Sequence, residues 1–153
     1  MNLVRAEVDD GAVSFAGFRI PLDSERRPRR PGSVILGVRP QDFEDVTYSE
    51  PGLPQIEVTA SVLEALGSAV HVIFPIEAPP VHTEDVKAVL DEDDEAKLIA
   101  DDDRSLFTAA VDPRSSARHG DKVQLTVNPA RFHFFDPDTG LSLAAEPTLA
   151  AAV

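Results

Sequence analysis

Residues 33–43 read SVILGVRPQDF, Ser33 to Phe43, and their reading decides the fold. Val34, Ile35, Leu36 and Val38 surround Gly37, an apolar run short enough for a buried strand. The run stops at Arg39-Pro40. Proline has no N–H for a central ladder and drives the preceding residue into extended geometry, so the strand ends there. A short polar turn is expected over Gln41 to Asp45. Residues before this stretch should form small hairpins, and residues after it longer strands that return to the same sheet.

Upstream, Val4, Ala6 and Val8 alternate with Arg5 and Glu7, the two-residue period of a half-buried strand. Asp9-Asp10-Gly11 signals a tight turn, and Val13 and Phe15 continue the pattern. Ala16-Gly17 permits a second reversal before Phe18, Ile20 and Leu22, which makes a three-strand meander. Residues 24–32, SERRPRRPG, hold four arginines and two prolines. They read as a stiff, solvated connector on an acidic protein, with an anion contact as the less favoured reading.

Downstream, residues 46–55 form a loop marked by Pro51-Gly52 and Pro54. From Ile56 to Leu66 a single strand is expected, with Ile56, Val58, Ala60 and Val62 on one face. Gly67-Ser68 turns it into a returning strand through Val70, Val72, Phe74 and Ile76, a long hairpin. Pro79-Pro80 opens an insertion, residues 77–104, in which Glu84 to Leu90 is expected to form a short helix capped by Thr83. Strands resume with Phe107, Ala109 and Val111, then with Val123, Leu125 and Val127. Asn128-Pro129 makes a turn, Arg131 to Phe135 a short strand, and Asp136 to Gly140 a turn leading to Leu141–Leu143. The alanine-rich residues 144–153 have nothing to bury and are expected to fray.

Short strands at close spacing with almost no helix indicate an all-β chain, a Greek-key barrel or sandwich. The 153 residues fit one domain, and 42% apolar residues suffice for a core. No run approaches the roughly 20 apolar residues that cross a bilayer. The opening residues show no secretory signal, so a soluble, cytoplasmic protein is expected. Net charge is −13, of which residues 77–103 carry −9 through eleven acids and two lysines. Such a surface repels phosphate backbones, which argues against nucleic acid as a partner.

Chemistry is sparse. With no cysteine, disulfides, thiolate metal sites and cysteine nucleophiles are excluded. There is no phosphate loop, no nucleophile elbow and no pair of histidines at ligand spacing. His71, His82, His119 and His133 are scattered and read as surface or strand positions. The run DEDDEAKLIADDD lacks the glycine that a calcium loop needs at its bend, so no metal site is expected. Its carboxylates look too wet for acid catalysis. Phe132, Phe134 and Phe135 are the one aromatic cluster along the chain. Two rings on one face and one on the other favour core plus interface over a base-stacking platform.

Three blocks in order resemble one family. Met1-Asn2-Leu3 with its meander, GVRPQDF at Gly37 to Phe43, and Val111 to Leu143 with His133 to Gly140 (HFFDPDTG) are similar to the accessory domain of carbohydrate-importing ABC transporter ATPases. The type is that of maltose, trehalose and glycerol-3-phosphate importers. The LGS turn, Leu66 to Ser68, also sits where that family has one. The resemblance implies a transport-associated OB-fold domain, MOP-like, over residues 1–143, with the acidic insertion at 77–104. It implies no catalysis here, because the phosphate loop, ATP and Mg belong to a nucleotide-binding domain that these residues lack. The implied partners are a second copy of the chain in a homodimer, its own nucleotide-binding domain, and, indirectly, membrane permease subunits at the inner face of the membrane. Gly37, Arg39, Pro40, Gly67, His133, Phe135, Asp136 and Gly140 are the implied signature residues for interface and fold. Gly37 would let the backbone approach a neighbouring strand, and Arg39 would pair with a carboxylate. Gln41, where the family has glutamate, and the insertion depart from the pattern. MOP-like relatives that bind oxyanions such as molybdate provide a second reading. Gly67-Ser68 is its one local candidate, since such a site needs converging N–H groups and hydroxyls.

Overall fold

A computed structural model describes residues 1–22, 28, 31–79, 81 and 104–143. The expected helix over Glu84–Leu90, the arginines of the connector, His82 and the tail from residue 144 lie outside the described residues.

The meander forms as the alternation requires. Strand β1 (Asn2–Asp9) pairs with β2 (Ala12–Phe15), and β2 with β3 (Phe18–Pro21), all antiparallel. The β2–β3 turn places Ala16 at φ 49° and Gly17 at φ 86°. Two positive φ values in a two-residue loop match the right-handed twist of the strands, with alanine in a conformation that it tolerates poorly. Phe15 and Phe18 meet across this turn with ring centroids 5.7 Å apart.

Strand β4 (Gly32–Val38) lies between β1 and β11 (His133–Phe135), giving a five-stranded sheet in the order β11-β4-β1-β2-β3. Its end is as expected, because Pro40 opens a 3-10 turn over Pro40–Asp42. The polar turn to Asp45 needs correction. Phe43–Asp45 is a strand, β5, paired with β10 (Lys122–Val127) in a second sheet, β5-β10-β6. Phe43 is 2% exposed, and burying that ring holds the backbone extended.

The expected single strand from Ile56 to Leu66 is two strands in two sheets. Strand β6 (Gln55–Thr59) pairs with β10, whereas β7 (Val62–Ala65) pairs with β8 (Val70–Ile76) in a third sheet, β7-β8-β9. The hydrogen bonds change partners at the corner. The Ala60 amide donates to the Asp121 carbonyl at 2.9 Å, while the Ser61 amide donates to that of Ile73 at 2.8 Å. The corner also breaks the face pattern: Ala60 is buried, but Val62 is 46% exposed. Strand β9 (Ser105–Val111) completes the third sheet along the whole of β8.

The three sheets enclose one core, to which β1, β2, β4, β6, β8, β9 and β10 all send alternate side chains. Phe43, Phe74 and Phe107 meet at its centre with centroids 5.8–6.4 Å apart, all at steep angles. Edge-on packing of this kind adds about 0.5–1.5 kcal/mol per pair beyond burial. These rings are 31 and 33 residues apart along the chain, so no local pattern groups them. Sheets that exchange strands at bent corners around one core make an all-β OB-fold barrel. Among the described residues no helix is long and apolar enough to cross a membrane.

Candidate functional site

All the signature residues except Gly67 lie on or next to β4 and β11. On β4, Val34, Leu36 and Val38 point into the barrel core, so Ile35 and Gly37 must face outward. Gly37 pairs with Leu3 of β1 and with His133 of β11. A Cβ at Gly37 would lie 2.5 Å from Met1 Sδ, 3.1 Å from Phe135 Cε2 and 3.3 Å from Leu3 Cδ2. Its φ is ordinary for a strand, so space rather than backbone freedom calls for glycine. Side chains, not a neighbouring backbone, occupy that space.

Phe135 stands opposite Ile35 and packs with Leu3 and Val81 in a second, smaller apolar cluster on this outer face. Phe132 and Phe134 are buried on the core side, 6.4 Å apart. The expected two-and-one split of the three rings is therefore observed.

Asp136 begins the turn that folds the end of the described chain back. Its Oδ1 accepts the Asp138 amide at 2.7 Å and the Thr139 amide at 3.0 Å, and its carbonyl accepts the Gly140 amide at 2.8 Å. Gly140 has φ 75°, a left-handed conformation that glycine adopts without strain. The chain then returns alongside β11: Phe135 bridges Ser142, and the Leu143 amide donates to Phe134 O at 2.8 Å.

Arg39 and Pro40 lie at the exit of β4. Arg39 is exposed and extended, and its carbonyl accepts the Asp42 amide at 3.0 Å. Asp42 lies 3.9 Å from Arg131. Gly67 is elsewhere. With φ 82° it forms, with Ser68, the exposed tip of the β7–β8 hairpin, and open space surrounds the position of a Cβ. An exposed tip desolvates no anion, so an oxyanion site here would need another surface to close over it.

Two groups escaped the sequence reading. Asn2, 8% exposed, donates from Nδ2 to Val38 O at 3.0 Å and to Thr108 O at 2.9 Å. Its Oδ1 accepts the Thr108 amide at 2.8 Å. One side chain thus ties the first sheet to the third. The available signal was parity, since Asn2 shares the inward face of Val4, Ala6 and Val8.

The second group locks the loop after β9 to β5 itself. Glu44 Oε1 accepts the Asp45 and Asp112 amides, each at 2.8 Å, and Asp45 Oδ2 accepts the Ser115 hydroxyl at 2.6 Å. Asp112 receives two bonds from the Arg114 guanidinium, each at 2.9 Å. The hydrogen bonds from the Arg114 side chain and then its backbone amide lower the Asp112 carboxyl to about 2, and the same pairing raises the Arg114 guanidinium. That guanidinium also lies over the Tyr48 ring, 4.6 Å from its centre. The described residues contain no group of three or more His, Asp or Glu able to hold a metal.

The architecture defines the class as an OB-fold domain, and comparison with known proteins narrows it. The MalK OB fold domain matches residues 1–43, from β1 through the 3-10 turn after β4. The chain is similar to the trehalose import ATP-binding protein SugC of Mycobacterium tuberculosis, 29% identical over 118 residues. That match covers 74% of this chain and 29% of SugC. It is also similar to the multiple sugar-binding transport ATP-binding protein MsmK of Streptococcus mutans, 28% identical over 148 residues, or 91% of this chain and 32% of MsmK. The sn-glycerol-3-phosphate import ATP-binding protein UgpC 2 of Agrobacterium fabrum is 28% identical over 155 residues, 99% of this chain and 34% of that protein. Over residues 1–43 the chain resembles the MalK OB fold domain, and it is similar to ATP-binding proteins of sugar and glycerol-3-phosphate importers. It spans about a third of the length of the curated relatives it matches.

Proposed function

We propose that this chain is the regulatory and dimerisation part of the ATP-binding subunit of an importer for sugars or related solutes, residues 1–143 forming one domain. The observation that carries the reading is the MalK OB-fold match over β1–β4 and the GVRPQDF turn. Relatives named as ATP-binding proteins of importers support it. On this reading the nucleotide-binding domain lies outside these residues and holds ATP and Mg. The chain hydrolyses no ATP by itself and works in the cytoplasm, against permease subunits at the membrane's inner face.

A subunit that opens and closes in each cycle needs one contact that persists, and a stiff barrel suits that role. Two copies would associate about a two-fold axis, each offering the same surface. Sedimentation velocity up to high protein concentration tests this, with a monomer–dimer equilibrium expected. Monomer at every concentration would refute dimerisation by this domain. Turnover of Mg-ATP by the purified chain would refute the non-catalytic reading. Micromolar binding of molybdate or sulfate in calorimetry would put the oxyanion reading in its place.

A further inference from the structure

The start of the acidic insertion alternates between solvent and interior: Glu77 and Pro79 are exposed, Ala78 and Val81 buried. Ala78 is 7% exposed and belongs to the barrel core. The two sides of the insertion's base are joined, since the Ser105 hydroxyl donates to Ala78 O at 2.9 Å and Arg104 pairs with Glu77 at 3.2 Å. Val81 then enters the second apolar cluster, where it is 3% exposed and grouped with Ile35, Leu3 and Phe135.

On its inner face strand β4 carries Val34, Leu36 and Val38, and on its outer face Ile35 between Ser33 and Gly37, so Ile35 also needs cover. The barrel core covers Val34, Leu36 and Val38. On the outer face Ile35 is 0% exposed, although Leu3 and Phe135 beside it are only half-buried. Gly37 adds no side chain to that face.

We infer that the outer face of β11-β4-β1 is a docking surface whose occupant is this chain's own Val81, which seats the start of the acidic insertion there. The occupant is identified by its burial among Ile35, Leu3 and Phe135, residues otherwise left facing water. Any partner that reaches the outer face of β4 competes with Val81. The insertion is thus coupled to the strand that carries the family signature.

The chain contains no cysteine, so one introduced thiol reports on one position. Cysteine is small and tolerates burial, which suits a Val81→Cys substitution. Ser68→Cys, at the exposed hairpin tip, gives the rate for an open site. With an aromatic disulfide reagent on the full chain, Val81→Cys should react at least tenfold more slowly than Ser68→Cys. Adding Ile35→Ala to Val81→Cys should restore several-fold of that reactivity by removing the surface beneath residue 81. Equal rates for Val81→Cys and Ser68→Cys would overturn the inference. So would a protected Val81→Cys thiol indifferent to Ile35→Ala, since residue 81 would then be buried somewhere else. Circular dichroism of each variant separates local exposure from loss of the barrel. If Ile35→Ala unfolds the chain, Phe135→Ala in the same background gives the same reading.

Discussion

Replacing Asn2 with leucine keeps the branched shape, puts two bulkier methyl groups where the amide oxygen and nitrogen were, and removes three hydrogen bonds between the first and third sheets. The Val38 carbonyl lies in a buried setting, whereas the Thr108 amide and carbonyl are partly buried. Each bond contributes about 1 kcal/mol net, and each polar group left without a partner in the interior costs about 1–3 kcal/mol. Leucine recovers part of this through its own apolar burial, so the net loss should be about 2–4 kcal/mol. With a slope of about 2 kcal/mol per M, the urea midpoint should fall by about 1–2 M with the slope unchanged. Asn2→Asp should lose as much at pH 7, because a carboxylate then faces the Val38 and Thr108 carbonyls. Hydrogen exchange locates the effect: the Thr108 amide should lose protection before the amides of β2. A loss below about 0.5 kcal/mol for Asn2→Leu would refute the claim that this side chain ties the sheets together.

Four further outcomes follow from the same geometry. Gly37→Val should cost about 1–3 kcal/mol in thermal unfolding, as overpacked sites do, since Phe135 and Leu3 must yield. Gly37→Ala should stay within about 1 kcal/mol of the parent, because the nearest obstacle is the flexible end of Met1. Asp136→Ala removes the acceptor for two backbone amides and should cost about 1–2 kcal/mol, with the Asp138 and Thr139 amides exchanging faster. Asp112 titrates below its unfolded value of about 3.9, so its contribution is complete above about pH 4 and lost as pH falls towards about 2. Between pH 5 and pH 2 the urea midpoint of the parent should therefore fall more steeply than that of Asp112→Asn. Equal slopes would show that the Asp112–Arg114 pair does not contribute to acid stability.

Much of the barrel was legible because its determinants are local. Alternation in residues 3–8, 70–76, 105–111 and 122–127 placed strands where they occur, and Pro40 ended β4 where proline must. Of the residues that the resemblance singled out, the structure places Gly37, His133, Phe135, Asp136 and Gly140 around β4 and β11. In the sequence Asn2 shows only its place in the opening motif and its parity with Val4, Ala6 and Val8. Its partner Thr108 stands 106 positions away, and nothing near Asn2 announces it.

By itself, the sequence determined that residues 3–8, 70–76, 105–111 and 122–127 extend, and that β4 is buried and ends at Pro40. Tertiary structure decided that residues 56–66 bend at Ala60-Ser61, because the backbone partners there come from Asp121 on one side and Ile73 on the other. It also brought Phe43, Phe74 and Phe107 together, and set Val81 rather than solvent against Ile35. The physical reason is common to all three. Periodicity records that a side chain must be buried, whereas the group that buries it is supplied by the closure of the chain.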